Sequence, residues 1–129
     1  MTVELWWLGW AVALGLIYLL VAVGFSLWQR GLVWNASTRE IEAKPLDSYG
    51  ARADRASRNF LETFAFFAAA TLAVVLAHKN GAQTILAAQI YFWARVAYLP
   101  VYLIGIPYLR TAIWIVSLAG IVLMLAALL

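Results

Sequence analysis

The chain has 129 residues, of which 66% are hydrophobic and 12% charged, whereas soluble domains carry about 45–50% apolar and about 25% charged residues. A soluble fold of this length could not hide so much apolar surface, so the bilayer is the solvent that fits. The absence of cysteine excludes disulfides, thiolate metal sites and a cysteine nucleophile, the single His78 excludes a histidine-rich metal site, and a net charge of +3 is too small for a nucleic-acid surface.

A spanning helix needs about 20 apolar residues. Residues 5–28 are free of charge and form the first predicted span. They lack the basic leader of a secretory signal, and their apolar run is about twice the usual length of one, so the segment reads as a helix that stays in the membrane. Residues 29–56 are polar and read as a long loop. The second span, 57–77, carries Arg58, Asn59 and Glu62 near its start and no charge afterwards. His78-Lys79-Asn80-Gly81 is a tight turn with a helix-ending glycine. The third span, 82–106, is interrupted only by Arg95, and the fourth, 109–129, follows the Pro107 turn. Backbone groups in lipid must be satisfied within the segment, and period-two alternation is absent, so the predicted fold is an all-α membrane bundle of four transmembrane helices rather than a barrel.

Lysine and arginine set the predicted orientation. Arg30, Arg39, Lys44, Arg52, Arg55, Arg58 and Arg110 fall on one side and Lys79 alone on the other. The positive-inside rule then places the long loop in the cytoplasm and both termini outside. Trp6, Trp7 and Trp10 at one end of the first span, and Trp28 and Trp34 at the other, suit the two interfacial belts. Two small-residue pairs at four-residue spacing, Ala11 with Gly15 and Gly9 with Ala13, suit either close helix approach or the ordinary abundance of small residues in membrane helices. Asn35-Ala36-Ser37 matches a glycosylation sequon but lies in the loop placed in the cytoplasm.

The chemistry concentrates in the second and third spans. A charged residue in mid-membrane costs roughly 2.5–3.5 kcal/mol on insertion scales, so it faces a bundle interior and finds a partner. Arg55, Asn59 and Glu62 are spaced by four and three residues and fall within roughly 60° of one another on a helix, with Arg58 at the edge of that face. Tyr91, Arg95, Tyr98 and Tyr102 share one face of the third span in the same way. The antiparallel arrangement makes Glu62 and Arg95 predicted partners, with Tyr98, Tyr102 and Arg110 continuing towards water as a polar crevice. The same residues also suit a plain interhelical ion pair with snorkelling arginine anchors. As a site, several arginines with Asn and Tyr favour an anionic polar ligand beside a lipophilic one.

The segment Arg55-Ala56-Ser57-Arg58-Asn59-Phe60-Leu61-Glu62 resembles the Arg-Ala-x-x-Asn-x-x-Glu signature of the MAPEG superfamily, the membrane-associated proteins of eicosanoid and glutathione metabolism. Arg95-Val96-Ala97-Tyr98-Leu99-Pro100-Val101-Tyr102 is similar to that family's Arg-x-x-Tyr-x-x-x-Tyr, and Gly105-Ile106-Pro107-Tyr108-Leu109-Arg110-Thr111-Ala112-Ile113-Trp114 resembles the turn and fourth helix of its bacterial branch. The resemblance implies a homotrimer in a bacterial inner membrane, with glutathione as co-substrate bound between subunits near the cytoplasmic face. It implies Arg55, Asn59, Glu62, Arg95 and Tyr98 as glutathione-binding residues, Arg110 and Tyr102 as catalytic residues, and a lipophilic small molecule as substrate. Thr63 departs from the Tyr that eicosanoid enzymes of the family often carry after the glutamate.

The implied function is a membrane glutathione transferase that conjugates or reduces lipophilic electrophiles. The alternative is a non-catalytic relative that binds a lipid or a partner protein. A small multidrug exporter, which needs a glutamate buried in the first helix as proton carrier, does not suit a first span without charge between residues 5 and 28.

Overall fold

The structure is a computed structural model that describes residues 1–129. Its elements are five helices: α1 (Val3–Arg30), α2 (Leu32–Ala36), α3 (Ser48–Leu76), α4 (Ala82–Ile104) and α5 (Pro107–Leu128). Four are long and one is a single short turn, so the chain has one helix more than the four predicted. Three of the long ones, α1, α3 and α5, are long and apolar enough to cross a membrane. The fourth, α4, dilutes its apolar run with Gln83, Gln89, Arg95 and three tyrosines.

The largest departure from the predicted boundaries is at the start of α3, which lies nine residues before position 57. The signal there is a cap rather than hydropathy. Asp47 is the N-cap, and its Oδ1 accepts from the Gly50 N–H at 2.7 Å. The Asp47 N–H in turn donates to Gln29 Oε1 at 2.8 Å, which ties the new helix to the end of α1. Apolar character alone does not mark such a start, because the first turns of α3 carry Arg52, Asp54 and Arg55. The predicted loop 29–56 is therefore part helix: α2 and the head of α3 occupy much of it. The fourth helix also begins two residues earlier than predicted, with Pro107 at its first position, where the missing N–H costs nothing.

α1 packs along α3, α4 packs most closely on α5, and α3 bridges to both α4 and α5. One apolar core joins Ala11, Phe67, Val74, Ala87, Tyr91 and Met124; a second joins Leu14, Tyr18, Ala56, Phe60, Tyr98 and Tyr102. Small residues set the distances. A Cβ on Gly15 would lie 2.7 Å from the Phe60 ring, and one on Gly120 would lie 2.9 Å from the Tyr91 backbone nitrogen and 3.0 Å from the Ala87 carbonyl oxygen. Ala11 and Gly15 thus form a real close-approach face, whereas a Cβ on Gly9 meets nothing within 4 Å. At the far end of the bundle, buried Glu4 accepts from the Thr84 hydroxyl at 2.6 Å while that oxygen accepts from the Gly81 N–H at 2.7 Å. One carboxylate so pins the start of α1 to the start of α4.

Two tests follow from these contacts. Gly120→Ala places its methyl against backbone, which cannot swing aside, so it should cost about 1–3 kcal/mol, read as a lowered thermal midpoint in detergent; Gly9→Ala should leave that midpoint unchanged or raised. The Gly50 N–H also holds the Asp47 carboxyl below its ordinary value of 3.8. A carboxyl depressed in the fold stabilises above its unfolded pKa and loses that contribution as pH falls through the folded value. The protection of the Gly50 amide against hydrogen exchange, taken relative to an unstructured amide at the same pH, should accordingly fall below about pH 4, and Asp47→Asn, which still caps, should remove that loss of protection.

Candidate functional site

The site is built at the end of the bundle where α3 begins, α4 ends and α5 begins. Its deepest member is Arg95, which has no exposed surface. The guanidinium lies 4.3 Å from the Tyr98 ring centre, 5.3 Å from that of Phe60 and 5.6 Å from that of Tyr18. Nη1 donates to Asn59 Oδ1 at 3.0 Å, while Nε and Nη2 have no hydrogen-bond partner and are turned to the rings. The charge is thus held by quadrupoles and one amide oxygen. The Tyr18 hydroxyl donates to the Arg95 carbonyl oxygen at 2.5 Å, so α1 grips α4 at the same residue, one turn before Pro100.

The predicted Glu62–Arg95 pair does not form. Glu62 is exposed on α3 and bonds to nothing in the chain, and the sole ion pair is Arg58 with Asp54, at 2.5 Å. The reason is the cost of desolvating a second charge. A buried carboxylate loses several kcal/mol of solvation, whereas the Asn59 amide meets the guanidinium without that loss. Arg55, Asn59 and Glu62 do share one side of α3, but only the first two turn to α4.

Nearer the mouth, Arg55 Nε donates to the Tyr102 hydroxyl at 3.2 Å, and the Arg110 guanidinium stands 4.7 Å from the Tyr102 ring centre. Tyr98 and Tyr102 meet edge to face at 5.4 Å. Arg52 Nη1 donates to the carbonyl oxygens of Leu103 at 3.0 Å and Ile104 at 3.4 Å, capping the orphan acceptors of α4. The next residue, Gly105, has φ +86°, and a Cβ there would lie 2.7 Å from Arg52 Cζ. The positive φ calls for a glycine, and the missing Cβ leaves room for the arginine to cover the helix end. One cavity of about 340 Å³ is lined by Asn59, Tyr98, Tyr102, Arg110, Thr111 and Trp114. A smaller one, about 130 Å³, is lined by Arg52, Arg55, Tyr102, Gly105, Pro107 and Arg110. Tyr102 and Arg110 belong to both. A larger hollow of about 370 Å³ at Leu5, Trp6 and Trp10 is at the opposite end and almost wholly apolar.

The family model described as the MAPEG family matches residues 7–129. The chain belongs to the MAPEG family. No curated protein and no solved structure matches it. The resemblance carried by the arginine-asparagine-glutamate and arginine-tyrosine-tyrosine motifs is therefore sound across nearly the whole chain.

Within this MAPEG chain, Arg55, Asn59, Arg95, Tyr98, Tyr102 and Arg110 converge, and Glu62, on the same side of α3, is exposed and bonds to none of them. Thr63 is buried: its hydroxyl donates to the Phe60 carbonyl at 3.2 Å, and its oxygen lies 3.2 Å from the Tyr91 hydroxyl. Sequence reasoning missed Tyr18, Arg52, Thr111 and Trp114. Tyr18 had a signal, as the one phenol in the middle of an otherwise apolar α1; Arg52 lay in the stretch read as loop. Asn59→Ala would leave the Arg95 charge without an oxygen partner. It should lower stability by about 1.5–3 kcal/mol, measured by denaturation in detergent.

Proposed function

We propose that the protein is a membrane-bound, glutathione transferase-like enzyme whose α4 is a fourth span and whose site is completed in a homotrimer. The observation that carries this reading is the uncompensated positive charge around Tyr102. Arg52, Arg55 and Arg110 line one small cavity with Tyr102, and their acceptors are the Tyr102 hydroxyl and two backbone carbonyls, with no carboxylate among them. Such a cluster favours a ligand with carboxylates, and glutathione has two. The exposed Glu62, unpaired in a single chain, suits the ligand's ammonium group or a neighbouring subunit.

The chemistry is within reach of these groups. A free thiol has a pKa near 8.5 and is mostly protonated at neutral pH. The Arg110 guanidinium favours the thiolate. Tyr102 accepts a hydrogen bond from Arg55 on its oxygen, which polarises the phenol and leaves its own proton to donate to sulfur. The thiolate then attacks an electrophile dissolved in the bilayer: with a chloronitrobenzene, the carbon–sulfur bond forms, the carbon–chlorine bond breaks and chloride leaves. In this reading Arg55, Asn59, Glu62 and Tyr98 hold glutathione, while Arg95 supports Asn59 from behind. The orientation follows the arginine bias, with the site at the cytoplasmic face of an inner membrane and both termini outside.

The burial of Thr63 favours a second reading, a non-catalytic relative that binds a lipid or partner protein, since no side chain follows Glu62 into the site. Calorimetry and turnover separate the two. The detergent-solubilised protein should bind glutathione and conjugate it to chlorodinitrobenzene, with Tyr102→Phe or Arg110→Ala lowering kcat/KM about a hundredfold. No heat of binding and no conjugate would leave the non-catalytic reading.

A further inference from the structure

A second basic cavity, of about 390 Å³, lies away from Tyr102, between the end of α1, the α2 turn and the outer side of α3. Trp34 organises it. Its indole N–H donates to the Ile41 carbonyl at 2.9 Å, which folds the following loop back over α2. The Arg30 guanidinium lies 5.1 Å from the Trp34 ring centre and the Arg39 guanidinium 5.2 Å from it. Arg39 reaches this position with φ +60°, a conformation that costs an L-residue roughly 1–2 kcal/mol. It is held by its N–H donating to Ser37 Oγ at 3.1 Å and by Nη2 donating to the Asn35 carbonyl at 3.3 Å. Arg30 Nε donates to the Lys44 carbonyl at 2.7 Å.

The charges in this cavity do not balance. Arg58 is paired with Asp54, and both line it. Arg30 and Arg39 have carbonyl oxygens and an indole but no carboxylate. Two like charges are thus brought to one ring with the backbone set to hold them there, an arrangement that an anion relieves. The other wall is apolar: Leu19, Ala22 and Val23 of α1 line the same cavity, with Leu19 45% and Val23 38% exposed. The ligand this combination recognises is an anion with a hydrocarbon tail.

We propose that the Arg30–Trp34–Arg39 cavity binds the phosphate of an anionic phospholipid, its acyl chain lying along Leu19 and Val23. The site is separate from the glutathione reading and does not depend on it. Tryptophan and arginine at the end of a membrane helix are placed at headgroup depth, and each arginine near an anionic surface contributes about a fivefold gain in lipid affinity.

Native mass spectrometry of the full chain in detergent, with phosphatidylglycerol and phosphatidylcholine added in equal amounts, tests the proposal. Phosphatidylglycerol should be retained at least about fivefold in preference. Arg39→Glu, at an exposed loop position, and Arg30→Gln should each lower that preference about fivefold or more, while Arg110→Gln should not change it. Equal retention of the two lipids, or a preference that survives both substitutions, would overturn the proposal. Displacement of the bound phosphatidylglycerol by millimolar inorganic phosphate or glutathione would also overturn it, by making the site one for a soluble anion. Circular dichroism of Arg30→Gln and Arg39→Glu distinguishes lost binding from lost fold.

Discussion

A guanidinium with no exposed surface, in a chain that is two-thirds hydrophobic, constrains everything around it. Burying such a charge costs several kcal/mol, and the bundle offsets this with aromatic faces rather than with a counterion. Tyr18 comes from α1, Phe60 and Asn59 from α3, and Tyr98 from α4 itself, so three helices must meet at Arg95. A desolvated cation over an aromatic ring gains about 2 kcal/mol or more, and a hydrogen bond to a charged donor about 1.5–3 kcal/mol, so rings and amide together are of the size needed. Gly15 makes the arrangement possible by letting α1 close on Phe60.

That centre fixes the mouth of the site. Asn59 is oriented by Arg95, and Tyr98 is stacked beneath the same guanidinium with its edge against Tyr102. Tyr102 then presents its phenol between Arg55 and Arg110. The second basic patch, at Trp34, is built differently, from a loop folded over a short helix, with no buried charge beneath it. The two ends of α1 also differ: one carries Arg30, and the other carries Glu4, held inside the bundle by Thr84.

Much of this was legible in the sequence, because the expense of intramembrane charge singles out few residues. Arg55, Asn59, Arg95, Tyr98 and Tyr102 were recognisable from helical spacing alone, and the MAPEG motifs named the same positions. The partner of Arg95 was not legible. Opposite charges suggested Glu62, whereas the packed bundle favours a neutral amide and three rings, and that choice depends on Tyr18, far away in the chain. The head of α3 was hidden too, since apolar character ends where charges begin and the Asp47 cap lies ten residues before the predicted start at position 57. Gly105 could be read as a helix end, but not as the place where Arg52 closes α4.

The most direct test of the central claim is an experimental structure of the protein with glutathione bound. The account requires ligand density against Asn59, Tyr102 and Arg110, with Arg95 still enclosed by Tyr18, Phe60 and Tyr98 and touching the ligand nowhere. Density elsewhere in the bundle, or an Arg95 turned out of its aromatic cage to pair with Glu62, would contradict it.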